Sequence, residues 1–170
     1  MATTGVRLIR KSLDSPEETR KFEAGKGQLE LVTTEGGPVG RLAQLLSGLD
    51  GALAEFERGL AERWRETVVV VATEFGRTAR INGTEGTDHG TGTIALLAGG
   101  AVKGGRVISD WPGLKPANLY EGRDLAPTTD LRAVIKGVLH DHLGLADRVL
   151  AETVFPDSAP LKAMRGLVAS

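Results

Sequence analysis

The sequence predicts an α/β protein with a mostly parallel central sheet and flanking helices. Three observations support this prediction: a long amphipathic helix, a run of valines directly after it, and a second apolar strand after a glycine-rich stretch. A continuous β-branched run without polar alternation is typical of a strand that is covered on both faces. A helix that leads straight into such a strand is typical of a layered α/β domain.

Length, composition and charge are those of a globular protein and exclude several functional classes. The 170 residues carry a formal net charge of −1, so bulk electrostatics do not indicate a nucleic-acid partner. The longest apolar run, residues 68–72, is far shorter than the roughly 20 residues that span a bilayer. Cysteine is absent, which excludes disulfides, thiolate metal sites and a thiol nucleophile. The opening residues show no signal peptide, so we expect a cytoplasmic location.

The first part of the chain is expected to be a separate N-terminal appendage. Short strands are predicted over residues 6–10 and 28–33, with a polar turn between them. Gly36, Gly37 and Pro38 then break any regular structure. The sequence is therefore divided into an appendage, residues 1–40, and a main domain, residues 41–170.

The main domain begins with the most regular pattern in the chain. Apolar residues recur at three- and four-residue steps over residues 41–64, which predicts an amphipathic helix whose apolar face packs on the core. Strands are predicted over residues 67–73 and 93–98. Glycine pairs at 99–100 and 104–105 predict a hairpin over residues 99–107.

A second helix is predicted after Pro127. Thr128 or Thr129 can cap its start, and Gly144 suits the left-handed position that ends a helix. The run from His140 to His142 lies in the last turn, where neighbouring positions do not share a face, so we interpret it as structural. The tail after residue 155 is expected to be irregular.

Two groups of polar residues lie beside the predicted strands. Glu74 follows the first strand, and Asp88 and His89 precede the second. Ligands of open α/β sheets bind beyond the carboxyl ends of the strands, and carboxylates and imidazoles are ligands of divalent metals. Flanking glycines would let the backbone approach an ion or an oxyanion. The sequence thus gives Glu74, Asp88 and His89 as candidate ligands of one weakly bound divalent ion of unknown identity.

The same residues also have a purely structural interpretation. An aspartate in a Gly-Thr-Asp turn commonly bonds its own backbone, and Glu74 with Arg77 could form a surface ion pair of little energetic value. The sequence leaves both interpretations open. It contains no Gly-x-Ser-x-Gly elbow, no phosphate-binding Gly-Lys-Ser/Thr loop and no dinucleotide-binding glycine motif, and no residue is assigned as catalytic.

Several short motifs lie along the main domain: 69–78 (VVVATEFGRT), 86–90 (GTDHG), 104–107 (GGRV), 111–114 (WPGL) and 124–132 (DLAPTTDLR). Together, over about residues 41–168, they resemble the bacterial domain-of-unknown-function family fifteen-oh-one. The resemblance implies membership of the alkaline-phosphatase-like superfamily and, for the relatives, twin-arginine export to the periplasm or cell surface. No activity is established for the family as a class.

The resemblance also implies what this sequence lacks. Hydrolases of the superfamily place Asp-His-Gly after a central strand, where this chain has Glu74, Phe75 and Gly76. At least one ligand is therefore lost, and Glu74 and His89 remain. Relatives carry a Gly-Trp-Asp-Thr-His run where residues 34–40 read TEGGPVG. The larger N-terminal half with the nucleophile is missing. Residues 6–41 are instead similar to the opening segment of small cupin-domain proteins.

Three functional hypotheses remain. The first is a truncated phosphatase- or sulfatase-like domain with a vestigial metal site and no autonomous catalysis. The second is a metal-dependent hydrolase of phosphate or sulfate esters, in which Glu74, Asp88 and His89 hold an ion that activates water. The third is a binding or scaffold module whose exposed sheet edge recruits another chain, either a second copy or the missing N-terminal half. The sequence does not indicate a substrate.

Overall fold

The computed structural model describes residues 41–83 and 86–169. This part of the chain combines helices with two small antiparallel sheets, a mixed α/β arrangement. The predicted N-terminal appendage, residues 1–40, lies outside the described residues together with its two strands.

Helix α1 spans Arg41–Leu60, and a 3-10 helix, Ala61–Glu66, continues it. The helix predicted to end at Trp64 is therefore confirmed, with a change of pitch in its last turn. The change coincides with Ala61, whose φ of 47° is left-handed and cannot continue a right-handed α-helix. Thr67 then starts the extended chain, and its hydroxyl donates to a carbonyl of the preceding turn at 2.8 Å.

The valine run forms strand β1, Val69–Val71, which pairs with strand β4, Leu96–Ala98. Both strands lie within their predicted ranges, but the two are antiparallel, and the mostly parallel central sheet that was expected is not present among the described residues. The sheet holds only these two strands among the described residues. Val70 is consequently 38% exposed, whereas the prediction required cover on both faces.

The connection between β1 and β4 explains the direction of pairing. A parallel pair needs a crossover, usually a helix, that carries the chain back to its starting edge. Residues 72–95 form no helix where they are described, and build a second short sheet instead. A valine run reports a preference for strand and for burial, and it carries no information about direction.

The second sheet consists of β2, Gly76–Arg77, and β3, His89–Gly90. It continues into a bridge between Thr78 and Asp124, which brings the turn at residues 120–125 against β2. The backbones approach closely because glycine has no side chain. A Cβ at Gly90 would lie 2.5 Å from the carbonyl carbon of Arg77, a distance that no real Cβ could keep.

The glycine-rich segment after β4 does not form the predicted hairpin over residues 99–107. Gly99 has a φ of 126°, and the Val102 N–H closes a turn onto its carbonyl at 3.2 Å. Val102 then bridges to Val168, so the pairing segment comes from the C-terminal end. The glycines mark a turn, but they do not identify the distant segment that pairs with it.

Helix α2 spans Leu131–Leu143. Its N-cap is Asp130, not Thr128 or Thr129, because the Asp130 carboxylate accepts the backbone N–H two residues further on at 2.8 Å. Gly144, with a φ of 68°, ends the helix in the predicted left-handed conformation. The N-cap prediction was therefore displaced by one or two residues, and the C-cap prediction is confirmed.

The last part of the chain is irregular but completes the core. A short helix α3, Asp147–Val149, leads into a π-helical segment, Leu150–Val154, and turns and bends follow, as predicted. The main apolar cluster draws on the turn after β4, on α2 and on this tail, and its buried members are Ala101, Val138, Leu167 and Val168.

Candidate functional site

The three candidate ligands lie around the second sheet. Glu74 is in the connection between β1 and β2, Asp88 directly precedes β3, and His89 is the first residue of β3. The antiparallel register sets Arg77 opposite His89. Because β2 begins two residues after Glu74, this register holds His89 next to the loop that carries Glu74.

An aromatic contact joins these two segments. The rings of Phe75 and His89 lie with their centroids 4.0 Å apart and their planes at 32°. This contact covers a face of the imidazole, whereas the nitrogens that bind metals or protons point outward in the ring plane. A phenyl ring supplies no ligand. The structure therefore brings the Glu74 loop and His89 together around a side chain that cannot coordinate metal.

Asp88 takes part in a turn. Its Oδ1 accepts a hydrogen bond from the Asn82 side-chain amide at 2.8 Å, and its backbone N–H donates to the Thr78 hydroxyl at 3.1 Å. Asn82 also accepts the Gly86 N–H at 3.0 Å. These bonds fit the interpretation of Asp88 as a turn former, and they engage one of its two carboxylate oxygens.

The Arg77 side chain binds the loop before β3 and forms no ion pair with Glu74. Its guanidinium Nη1 donates to the Thr87 carbonyl at 3.1 Å, and the ion pair predicted between Glu74 and Arg77 is not among those formed by the described residues. Glu74 is exposed. Within residues 41–83 and 86–169, no three acidic or histidine side chains are grouped as a metal site would require. The candidate set thus remains a prediction, in which the pairing of β2 with β3 brings the Glu74 loop beside His89.

Asp124 is a buried carboxylate that the sequence reading did not single out. Only 2% of the residue is exposed. Its Oδ2 accepts the Thr91 hydroxyl at 3.0 Å, and its Oδ1 lies 2.8 Å from Nε of Arg123. Burial raises the pKa of Asp124, but the hydrogen bond from Thr91 and the contact with Arg123 outweigh burial and bring it below its ordinary value. The carboxylate is thus ionised at neutral pH and ties the turn at residues 120–125 to the segment after β3.

A turn signal existed for Asp124, although it does not indicate burial. Glu121 and Gly122 both have positive φ, 51° and 65°, and a glycine before Arg123 and Asp124 is typical of a tight turn. Glu121 and Asp124 belong to the same turn, but Glu121 is exposed and Asp124 is buried. The bridge to Thr78 holds Asp124 in the interior. Sequence alone cannot reveal that bridge.

The charged run at the end of α2 has the structural role that was predicted for it. The Asp141 carboxylate accepts the Gly166 N–H at 2.8 Å and lies 3.4 Å from Nη1 of Arg165. Nδ1 of His140 lies 2.9 Å from Oδ1 of the same carboxylate. The run therefore anchors the C-terminal tail on α2.

A family model described as "Protein of unknown function (DUF1501)" matches residues 37–154. No curated protein and no solved structure matches the chain. Among the described residues, no helix combines the length and the apolarity that crossing a membrane requires. The match covers the two long helices, both sheets and all three candidate ligands.

Proposed function

Since the chain belongs to the DUF1501 family of proteins of unknown function, we propose that it is a phosphatase- or sulfatase-like domain that lacks autonomous catalysis and keeps a vestigial metal site. The contact between Phe75 and His89 is the observation that carries this proposal. An aromatic ring lies directly beside the imidazole, at a position where a further ligand would be needed.

The ligands that remain would hold an ion only weakly. Zinc sites take three or four protein ligands, and Glu74 and His89 supply two. Asp88 could add a third through the oxygen that Asn82 does not engage. Each missing ligand would be replaced by water, so we expect weak binding of one divalent ion.

The superfamily lineage belongs to the same proposal. Its support is local: a valine strand, β1, runs into Glu74, Phe75 and Gly76 at its carboxyl end. The neighbours that would make β1 a central strand are not among the described residues. The likeness of residues 6–41 to cupin-domain proteins likewise stays a prediction.

The first test is a screen for ester hydrolysis. The full chain is assayed with chromogenic phosphate and sulfate monoesters in the presence of zinc, manganese, magnesium or calcium. Catalysis of this kind needs an activated nucleophile and several preorganised charges, and losing several kcal/mol of that stabilisation lowers the rate by about three or more powers of ten. We expect no turnover above background. Turnover that His89→Ala abolishes and His142→Ala preserves would establish the hydrolase hypothesis instead.

The second test is metal binding itself. Titration calorimetry with zinc and manganese on the wild type is compared with Glu74→Ala and His89→Ala, and Glu57→Ala on α1 serves as the matched control. We expect weak binding that either site substitution removes and the control leaves unchanged. Tight stoichiometric binding that survives both site substitutions contradicts the proposed location.

A binding or scaffold function is favoured by one specific observation. β1 has a single partner strand in the described structure, and its central residue, Val70, is partly exposed. A free strand edge can pair with another chain. We expect Val70→Lys to weaken any association through this edge, whereas Val107→Lys, at an exposed valine outside the sheet, leaves it unchanged. Sedimentation velocity of the two variants distinguishes these outcomes.

A further inference from the structure

Helix α1 carries an apolar stripe that is largely exposed to solvent. Leu53 is buried, whereas Leu45 and Phe56 are 60% and 54% exposed. Ala52 lies between these two on the same side of the helix, since residues three or four apart are neighbours on a helix surface. Ala52 and Phe56 also line a shallow apolar groove with Gly59.

The stripe consists of five positions whose large and small residues are complementary about Ala52. Leucine and phenylalanine are the large members, and the small members are glycine or alanine. Measured from Ala52, Gly48 and Phe56 are each four residues away, and Leu45 and Gly59 are each seven residues away. Every large side chain therefore has a glycine at the equivalent position on the other side of Ala52.

Among the described residues, neither packing nor backbone conformation requires a glycine at position 48 or 59. Neither has a positive φ, and a Cβ at Gly48 or Gly59 would meet nothing within 4 Å. A glycine inside a helix destabilises it by about 0.5–1 kcal/mol relative to alanine. A shallow spot on the helix surface offers compensation when a bulky side chain packs into it, and no described residue of this chain does so.

We propose that a second copy of this chain docks antiparallel on the α1 stripe, with the two-fold axis passing beside Ala52. In that pairing Phe56 of one copy packs over Gly48 of the other, Leu45 packs over Gly59, and the two Ala52 side chains meet at the centre. After two-fold rotation each large side chain of one copy faces a glycine of the other, which is the condition for a self-complementary interface. This points to a second copy rather than to an unrelated partner.

The size of the stripe sets the strength of the dimer. Five positions over about 21 Å of helix, with the flanking methylene groups, supply on the order of 400 Å² from each copy, about half of each partner's share in a standard interface. The dimer is therefore weak, forming at micromolar concentrations or above. The dimer uses α1 and leaves the β1 edge free, so its test is independent of the functions proposed above.

Sedimentation of the full chain between about 1 and 200 μM tests the dimer. We expect reversible association that Ala52→Arg weakens at least about tenfold, because two buried like charges would meet at the axis. Ser47→Arg introduces the same charge on the far side of α1 and should have no effect. A wild type that stays monomeric overturns the proposal, as does an equal effect of both variants.

Cross-linking tests the register of the pairing. The chain contains no cysteine, so a single introduced thiol can pair only with its copy. At the two-fold axis we expect Ala52→Cys to form a disulfide-linked dimer on mild oxidation at least about ten times faster than Ser47→Cys, since only close Cα atoms can be bridged. Equal rates for the two variants contradict the antiparallel pairing about Ala52.

Discussion

A single carboxylate, that of Asp130, fixes the start of α2. It accepts the Arg132 backbone N–H at 2.8 Å and holds the Arg132 guanidinium at 2.6 Å. The hydrogen bonds from Arg132 lower the pKa of Asp130 below its ordinary value, against the opposing effect of burial. A lowered pKa in the folded state means that the ionised form stabilises the fold. That contribution is complete above the unfolded pKa of about 3.9 and is lost as pH falls through the folded pKa.

We expect Asp130→Ala to reduce the free energy of unfolding by about 1 kcal/mol at pH 7, the usual cost of losing an N-cap. The difference from wild type should shrink below about pH 4, because protonation removes the same charge from the wild type. Urea unfolding at pH 7 and pH 3 measures both values. Asp110→Ala, at an exposed aspartate, is the control. A difference that stays constant across this pH range would show that charge is not involved.

Lys136 is a second residue whose side chain stabilises the fold. It is buried, and its ammonium group donates to the carbonyls of Ser158 at 2.6 Å and Leu161 at 3.1 Å. Lys136→Met keeps most of the side-chain volume but removes the donor of the Leu161 carbonyl, which costs about 1–3 kcal/mol. The Ser158 carbonyl keeps the Leu161 N–H at 3.1 Å. Lys162→Met, in the same tail but exposed, should be nearly neutral. Equal midpoints for the two variants in thermal unfolding would contradict this role.

At the scale of elements, the ladder around β2 depends on glycines. A Cβ at Gly90 would collide with the Arg77 backbone, whereas one at Gly83 would meet nothing within 4 Å. We expect Gly90→Ala to lower the free energy of unfolding by at least about 1 kcal/mol, and Gly83→Ala to change it by less than about 0.5 kcal/mol. Chemical unfolding followed by circular dichroism compares the two. A tolerated alanine at position 90 would mean that β2 and β3 are less tightly paired.

Helices and strands could be located from the sequence because their signals are local. The three- and four-residue spacing gave α1 nearly to its last turn, and the valine run gave β1. Pairing is not local: the antiparallel partner of β1, the bridge from Val102 to Val168 and the bridge that buries Asp124 all join distant segments. The choice of N-cap failed for a different reason, since three adjacent residues before α2 can all cap a helix.

The same difference between local and long-range contacts decides how much of the candidate site could be predicted. The turn role of Asp88 depends on neighbours within ten residues, Asn82 and Thr78, and the sequence could suggest it. The contact between Phe75 and His89 depends on the register of β2 and β3. That register is set by glycine backbones, and residue spacing does not encode it.

For the whole molecule, stability rests on the C-terminal tail. Leu167 and Val168 are buried against Val138 and Ala101. We expect Leu167→Ala to cost about 2–5 kcal/mol, a large part of the 5–15 kcal/mol that is typical of a domain. Leu143→Ala, at an exposed leucine of α2, should cost far less. Chemical unfolding measures both, and similar losses at the two positions would show that the tail is not essential to the core.

The backbone bonds that join residues 101–103 to residues 167–169 also constrain how the protein is made. The Ala169 N–H reaches the Ala101 carbonyl at 2.7 Å, and the Lys103 N–H reaches the Leu167 carbonyl at 2.9 Å. Synthesis proceeds from the N-terminus at about 5–20 residues per second, so the core cannot close before residue 169 has left the ribosome. Helix α1 leaves the ribosome several seconds earlier, so it is synthesised before the cluster of Ala101, Val138, Leu167 and Val168 can form.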